Sequence, residues 1–193
     1  MDNPDTVELE SARLLLRRFT MEDAPAMLAN WANDPEVTKF LNWPAHKSLG
    51  DSENILSEWV SRYEGEEGFY QWAIVRKENG GEPIGSIGVV QKNEAAKMVD
   101  IGYCIGKKWW NQGITSEALK MVTQYLFSTG QFNRIQARHD PRNPHSGQVM
   151  QKCGMRYEGT LRQADRSNQG ISDIAVYAIL AEDYYAMQDK YYE

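Results

Sequence analysis

The stretch that most constrains the fold is a short apolar strand followed by a polar, glycine-containing turn and an amphipathic helix. Residues 101–105 (IGYCI) are typical of a buried strand, and residues 111–115 (NQGIT) form the turn. Gly130 then stands where a helix ends. Between the turn and this glycine, the apolar residues fall on one helical face: Ile114, Ala118, Leu119, Val122, Tyr125 and Leu126. The sequence therefore predicts a helix over residues 114–129.

Gly113 lies in the turn immediately before this helix. A glycine there permits a positive φ angle, or a close approach of a ligand to the main chain. The unpaired amides and the positive end of the helix dipole would then suit an anion such as a pyrophosphate. A glycine that merely starts a helix gives the same pattern. Neither common nucleotide motif is present: residues 102–107 are one residue short of a Walker A loop, and no G-x-G-x-x-G follows a strand.

The rest of the chain alternates helical and extended patterns without an internal repeat or an interdomain linker. Two helices, three strands, a strand–helix alternation and closing strands predict a single domain of the α+β (mixed α/β) class. Gly85 and Gly88 are poor strand residues and indicate a bulge or a close backbone approach. Strands are predicted over 13–19, 69–76, 83–90, 99–105, 134–139, 155–161 and 171–180, and further helices over 20–33, 51–63, 145–152 and 182–192.

Composition excludes several classes of protein. No apolar run approaches the roughly 18–20 residues of a membrane span, and the acidic first five residues are unlike a signal peptide. The net charge of −6 disfavours nucleic acid as a partner. Cys104 and Cys153 are far apart in sequence, which argues against a zinc site or a disulfide scaffold and favours a cytoplasmic protein without a metal. Nothing in the sequence decides between a monomer and a homodimer.

Two separated motifs resemble those of a known family. Residues 102–119 read G-Y-x-I-G-x-x-W-W-x-x-G-x-x-x-E-A-L, and residues 143–159 contain N-x-x-S, K-x-G-M and E-G in that order. This combination resembles the RimJ/RimL-like branch of the GNAT acetyltransferases over roughly residues 11–183. The superfamily has Arg or Gln at the first place of this turn, Gly at the central place, and Gly or Ala at the last. In this sequence the three places hold Trp110, Gly113 and Thr115. A threonine in the last place is a departure from that pattern.

The resemblance implies a single GNAT-like domain over residues 1–193, with a mostly antiparallel central sheet, a splayed strand pair and flanking helices. It also implies that the chain binds acetyl-CoA as acetyl donor. The Ser146 hydroxyl would lie near the thioester sulfur; without the resemblance, Ser146 would simply face solvent and Asn143 would simply cap its helix. The implied cofactor-binding residues are Tyr103, Cys104 and Ile105 through their main chain, the turn residues Gln112, Gly113, Ile114, Thr115 and Ser116, and Asn143.

Proton removal from the acceptor amine has several candidate groups. Asp100, directly before the I-G-Y motif, is the first candidate, acting through a water or with a pKa raised by burial. His139, beside Asp140, is the alternative because histidine titrates near neutral pH. Bulk water is the third. His46 is a candidate for the wall of the acceptor pocket, whereas Cys104 and Cys153 are expected to be core thiols.

The sequence thus predicts an acetyl-CoA-dependent N-acetyltransferase that moves an acetyl group directly to a primary amine, such as the N-terminus of a ribosomal protein. Two alternatives stay open: a small-molecule amine acetyltransferase and a non-catalytic acyl-CoA-binding module. The acceptor pocket is expected in residues 43–70. The aromatic residues in and next to this stretch are expected mainly in the core, with some at the pocket: Trp43, Trp59, Phe69, Tyr70 and Trp72.

Overall fold

The structure is a computed structural model and describes residues 5–189, apart from the side chains of residues 79 and 189. Eight strands form one sheet in the order β1-β2-β3-β4-β5-β6-β8-β7. They are β1 (Leu9–Glu10), β2 (Leu14–Arg17), β3 (Gln71–Arg76), β4 (Pro83–Asn93), β5 (Met98–Ile105), β6 (Arg134–His139), β7 (Arg156–Ser167) and β8 (Gly170–Leu180). The helices are α1 (Ala24–Met27), α2 (Pro35–Thr38), α3 (Leu49–Gly65), α4 (Ile114–Ser128), α5 (Pro144–Lys152) and α6 (Ala181–Asp189).

All neighbouring strands are antiparallel except β5 and β6, which are parallel. Their pairing runs from Met98 opposite Arg134 to Ile101 opposite Ala137 and then stops. Because β5 continues to Ile105, its last four residues have no partner on the β6 side. The predicted α+β domain with a mostly antiparallel sheet and a splayed strand pair is confirmed.

Helices cover both faces of the sheet. Strand β3 shows the alternation: Trp72 and Ile74 pack with α4 and α5, whereas Ala73 and Val75 pack with α1 and α3. The predicted apolar face of α4 is confirmed, since its members are buried apart from the half-buried Tyr125. None of the helices within residues 5–189 combines the length and apolar character needed to cross a bilayer.

Several predicted boundaries change. The helix predicted over 20–33 is three consecutive segments: a 3-10 turn, α1, and a π-helical turn over Leu28–Ala32. Helix α3 begins at Leu49, earlier than predicted, because the Asp51 carboxylate reaches back and accepts the N–H of Ser48. Strand β7 extends six residues beyond the predicted end. The sequence gives no sign of this extension, because residues 162–166 are exposed on both faces and carry no apolar alternation. The predicted tail helix is described only to residue 189, and the first four residues also lie outside the described range.

Gly85 and Gly88 permit the close approach that the sequence predicts. A Cβ atom on Gly85 would lie 2.8 Å from the Ile105 Cα atom and would also contact the Cys104 carbonyl oxygen. A Cβ atom on Gly88 would lie 2.7 Å from the Tyr70 carbonyl oxygen. Both glycines are therefore required by main-chain packing in β4, the strand that supports β5.

We predict that Gly85→Ala destabilises the protein, because the added methyl group meets fixed main-chain atoms of β5. Overpacking of this kind typically costs about 1–3 kcal/mol. Urea unfolding measures the loss. Gly65→Ala is the matched control, since a Cβ atom there meets nothing within 4 Å. Equal stability of Gly85→Ala and wild type would show that β4 and β5 can separate at this point without cost.

Candidate active site

Two cavities meet at the split between β5 and β6. The helix groove, about 560 Å³, runs along the N-termini of α4 and α5. The inner cavity, about 350 Å³, lies on the other face of β5 beside the end of β6. Four residues line both spaces: Phe40, Leu41, Tyr103 and Cys104. A molecule in the groove and a molecule in the cavity can therefore meet at the unpaired end of β5.

The three β5 residues predicted to bind through their main chain do not all face the split. The Gly106 N–H donates to Ile84 on the β4 side, and main-chain groups alternate sides along a strand. Cys104 therefore directs its main chain toward β4, and its carbonyl lies against Gly85. Tyr103 and Ile105 direct theirs toward the split, where the Ile105 carbonyl accepts the indole N–H of Trp110 at 2.9 Å. The Cys104 side chain lies beside Ser86 of β4, with Sγ 3.4 Å from the serine Oγ.

The turn before α4 has the backbone that Gly113 makes possible. Gly113 is the N-cap residue with φ +74°, which confirms the predicted positive φ. Ile114, Thr115 and Ser116 follow it in the wall of the helix groove. Gln112 does not line the groove, because its side-chain amide donates to the Lys108 carbonyl at 3.0 Å. The free amides of the first turn of α4 thus face the groove.

At the start of α5, Asn143 and Ser146 both line the helix groove. Asn143 occupies the N-cap position, but its side chain makes no capping bond. The Tyr103 hydroxyl donates to the Ser146 carbonyl at 2.9 Å and lies 3.1 Å from Ser146 Oγ. Burial raises the pKa of the Tyr103 phenol above its ordinary value, so this hydroxyl stays protonated near neutral pH. Tyr103 and Ser146 form a hydroxyl pair beside the split.

Asp100 lies in the wall of the inner cavity and is only 2% exposed. Its Oδ2 atom lies 2.5 Å from Nε of Arg138 and accepts a hydrogen bond from Gln136 at 3.1 Å. Burial raises the pKa of Asp100 above its ordinary value, although Arg138 and Gln136 act in the opposite direction. Asp100 is therefore a carboxyl group with raised basicity at the edge of a cavity.

His139 and His46 also lie in the wall of the inner cavity. The Nδ1–H of His139 donates to the Asp140 carbonyl at 2.9 Å, since a carbonyl only accepts. In the neutral ring, Nε2 then carries the lone pair; it is buried, has no partner within residues 5–189, and lies close to Gly147 of α5. His46 shares a hydrogen bond with Ser52, and burial lowers the pKa of His46. His46 is thus in the position expected from sequence, whereas the free nitrogen of His139 faces a helix.

The two cysteines differ. Cys153 is a core thiol that donates to the Ser116 carbonyl, and burial raises its pKa to about 12. Cys104 is half-buried beside Ser86, packs against the core cluster that includes α1 and α3, and also lines both cavities, so it is a core thiol only in part. Burial raises the pKa of Cys104 as well, which disfavours a thiolate. In the part of the chain that the structure describes, no group of three or more His, Cys, Asp or Glu side chains is arranged to hold a metal.

Comparison with protein families decides the relationship. The family described as "Acetyltransferase (GNAT) domain" matches residues 13–156. The chain belongs to the GNAT acetyltransferases. It is therefore an acyltransferase, and acetyl-CoA is the acetyl donor of this family. The resemblance seen in the two sequence motifs is confirmed.

Individual GNAT relatives match most of the chain. An uncharacterized N-acetyltransferase of Bacillus subtilis, YoaA, is 33% identical over 89% of this chain and 96% of its own length. The ribosomal-protein-serine acetyltransferase of Escherichia coli is 30% identical over 76% of this chain and 80% of its own. Among solved structures, a GNAT acetyltransferase from Bacillus anthracis has a TM-score of 0.78, 26% identity, and coverage of 91% and 99%.

Sequence reasoning missed part of this GNAT site. Arg138 lies in no motif, and the motif that contains Tyr103 indicates a role for its main chain only; the fold brings the Tyr103 hydroxyl to Ser146 and Arg138 to Asp100. The expected acceptor stretch, residues 43–70, supplies only part of the inner cavity. The remainder of the wall comes from outside this stretch, partly from residues next to it and partly from distant segments: Met27, Trp31, Ala32, Phe40, Leu41, Asn42, Gln71, Ser86, Val90, Asp100, Ile101, Gly102, Tyr103, Cys104, Arg138, His139, Asp140, Asp165, Arg166, Ser167, Ser172 and Ile174.

Proposed function

We propose that this GNAT protein transfers the acetyl group of acetyl-CoA directly to a primary amine, the N-terminal amine of a protein such as a ribosomal protein. The observation that carries the proposal is the meeting of the helix groove and the inner cavity at Tyr103 and Cys104. The ribosomal-protein-serine acetyltransferase among the relatives favours a protein N-terminus as acceptor. The cytoplasmic setting expected from the sequence belongs to the same proposal.

In this proposal acetyl-CoA occupies the helix groove. Its pyrophosphate is bound by the free amides at the start of α4, from Gly113 to Ser116, where the helix dipole favours an anion. The Asn143 side chain, which caps nothing, is available to the pantetheine arm. The main-chain groups of Tyr103 and Ile105 face the split and are available to the arm and the thioester carbonyl.

The reaction needs a neutral amine, a stabilised oxyanion and a protonated leaving group. The amine nitrogen attacks the thioester carbon, the C–S bond breaks, and the CoA thiolate takes up a proton. Ser146 donates a hydrogen bond to the sulfur, because its hydroxyl lies in the groove beside the Tyr103 hydroxyl, and the released thiolate takes its proton from water. Donors directed at developing charge are among the largest contributions to catalysis.

Asp100 is proposed to receive the amine proton through water. It lies on the same face of β5 as Cys104 but four residues earlier, so their Cα atoms are roughly 13 Å apart. This separation is too large for direct contact with an amine at the split. Its raised pKa makes it a better proton acceptor than an exposed aspartate.

The size of the inner cavity favours a second candidate acceptor, a small amine, because about 350 Å³ is in the range of small-molecule pockets.

We predict that the wild-type protein consumes acetyl-CoA with at least one member of a panel of N-terminal peptides and small amines. Mass spectrometry measures the acetylated product. Ser146→Ala should lower turnover by up to about a hundredfold with little change in the Michaelis constant for acetyl-CoA. Ser57→Ala, an exposed serine in α3, is the control. Acetyl-CoA binding without turnover on any amine would instead indicate a binding module.

We predict that Gly113→Trp abolishes acetyl-CoA binding, because the indole would obstruct the approach of the pyrophosphate to the α4 amides. Calorimetric titration measures the affinity. Gly130→Trp is the matched control: Gly130 has a similar φ of +71° at the other end of α4, so it carries the same backbone strain away from the groove. Unchanged affinity in a folded Gly113→Trp protein would exclude this turn as the pyrophosphate site.

The proton acceptor is tested by the pH dependence of turnover. If Asp100 and its water act as base, Asp100→Asn should depress turnover most at low pH, because only about a tenth of the amine is neutral one pH unit below its pKa. The variant should approach the wild-type rate at high pH, where the amine arrives neutral. If His139 is the base, the pH profile of His139→Gln should instead be the one that departs from wild type. Identical profiles for all three proteins would leave water as the acceptor.

A further inference from the structure

Three main-chain carbonyls of one loop converge on a single asparagine of a distant turn. The Asn168 side-chain amide donates to the Thr38 carbonyl at 2.8 Å and to the Trp43 carbonyl at 2.7 Å. The Asn168 N–H donates to the Leu41 carbonyl at 2.9 Å. These bonds join the turn between β7 and β8 to the loop between α2 and α3. Within residues 5–189, every hydrogen bond between residues 38–46 and residues 167–170 comes from Asn168.

Both joined segments form walls of the inner cavity. The loop contributes Phe40, Leu41 and Trp43, and the hairpin contributes Arg166 and Ser167. Phe40 and Leu41 also line the helix groove, so the position of the loop affects both spaces at once. The three hydrogen bonds therefore join two parts of the cavity wall that come from distant segments of the chain.

We propose that Asn168 is a latch that holds the inner cavity closed and thereby restricts the bulk of the amines that enter it. The proposal rests on the proposed function, in which this cavity receives the acceptor. Asn168 is a specificity-determining residue in this view and touches no reacting atom. An acceptor with little bulk beside its amine fits the latched cavity, whereas a bulkier one needs the loop to move.

The chemistry of the latch requires an amide. Two carbonyl oxygens face the side-chain nitrogen, so only a group with two N–H donors satisfies both. Asn168→Asp keeps the shape but places a carboxylate oxygen against the two carbonyls, which converts two attractions into repulsions. Gln169→Glu is the matched control, because it adds the same charge at the neighbouring exposed position of the turn and leaves the latch intact.

Hydrogen exchange followed by mass spectrometry tests the latch directly. In Asn168→Asp, the amides of residues 38–46 and 165–172 should exchange about ten- to a hundredfold faster than in wild type, as expected for the loss of two hydrogen bonds. Exchange in α4 and β5 should not change. Gln169→Glu should match wild type throughout. Unchanged exchange at both segments, or equal acceleration over the whole chain, would overturn the latch.

The effect of the latch on specificity is tested with pairs of acceptors that differ only in the bulk beside the amine. With N-terminal peptides beginning Gly or Val, Asn168→Asp should raise the relative kcat/KM for the bulkier peptide about tenfold or more, with the Michaelis constant for acetyl-CoA measured alongside. An unchanged ratio together with accelerated exchange would show that the latch does not select acceptors. Absence of turnover in wild type on any amine would refute the proposed function, and the exchange result would still decide whether Asn168 holds the two walls together.

Discussion

The end of pairing between β5 and β6, at Ile101 and Ala137, is the feature on which the site depends. A buried main-chain group left without a partner is costly, so a strand end of this kind needs other partners. Trp110 supplies one by donating its indole N–H to the Ile105 carbonyl. The remaining groups of Tyr103 and Ile105 face a space large enough for a ligand. The same gap in the sheet therefore exposes donors and acceptors and connects two cavities.

Strand β5 is held by contacts on both sides of the split. Gly85 brings β4 close against β5, and any side chain there would push the two strands apart. On the open side, Tyr103 ties the strand to α5 through Ser146, so the strand cannot move without the helix. The helix that carries Ser146 and Asn143 is thus positioned by a tyrosine of the split strand. This arrangement supports the proposed placement of Ser146 beside the thioester and of Asn143 beside the pantetheine arm.

The path of the main chain before α4 could be predicted from the sequence, because this part of the proposed donor site is built from contiguous residues. The turn around Gly113 and the helix that follows it form one local unit, and its periodicity and positive φ follow from residue type alone. Gln112 illustrates the limit of such reasoning: it belongs to the same turn, but Lys108 and Arg76 hold its side chain outside the groove. Local sequence determines the path of the main chain, whereas tertiary neighbours determine where a side chain points.

The acceptor half could not be predicted in the same way, because its walls come from segments far apart in the chain. The strand carrying Asp165 and Arg166 has no apolar alternation, so neither its length nor its return to the cavity was visible. Asn168 joins residues separated by 125 and 130 positions, and an asparagine in a turn is common enough to carry no signal. In the proposed function, the turn that binds the pyrophosphate is therefore encoded locally, whereas the acceptor cavity depends on long-range contacts.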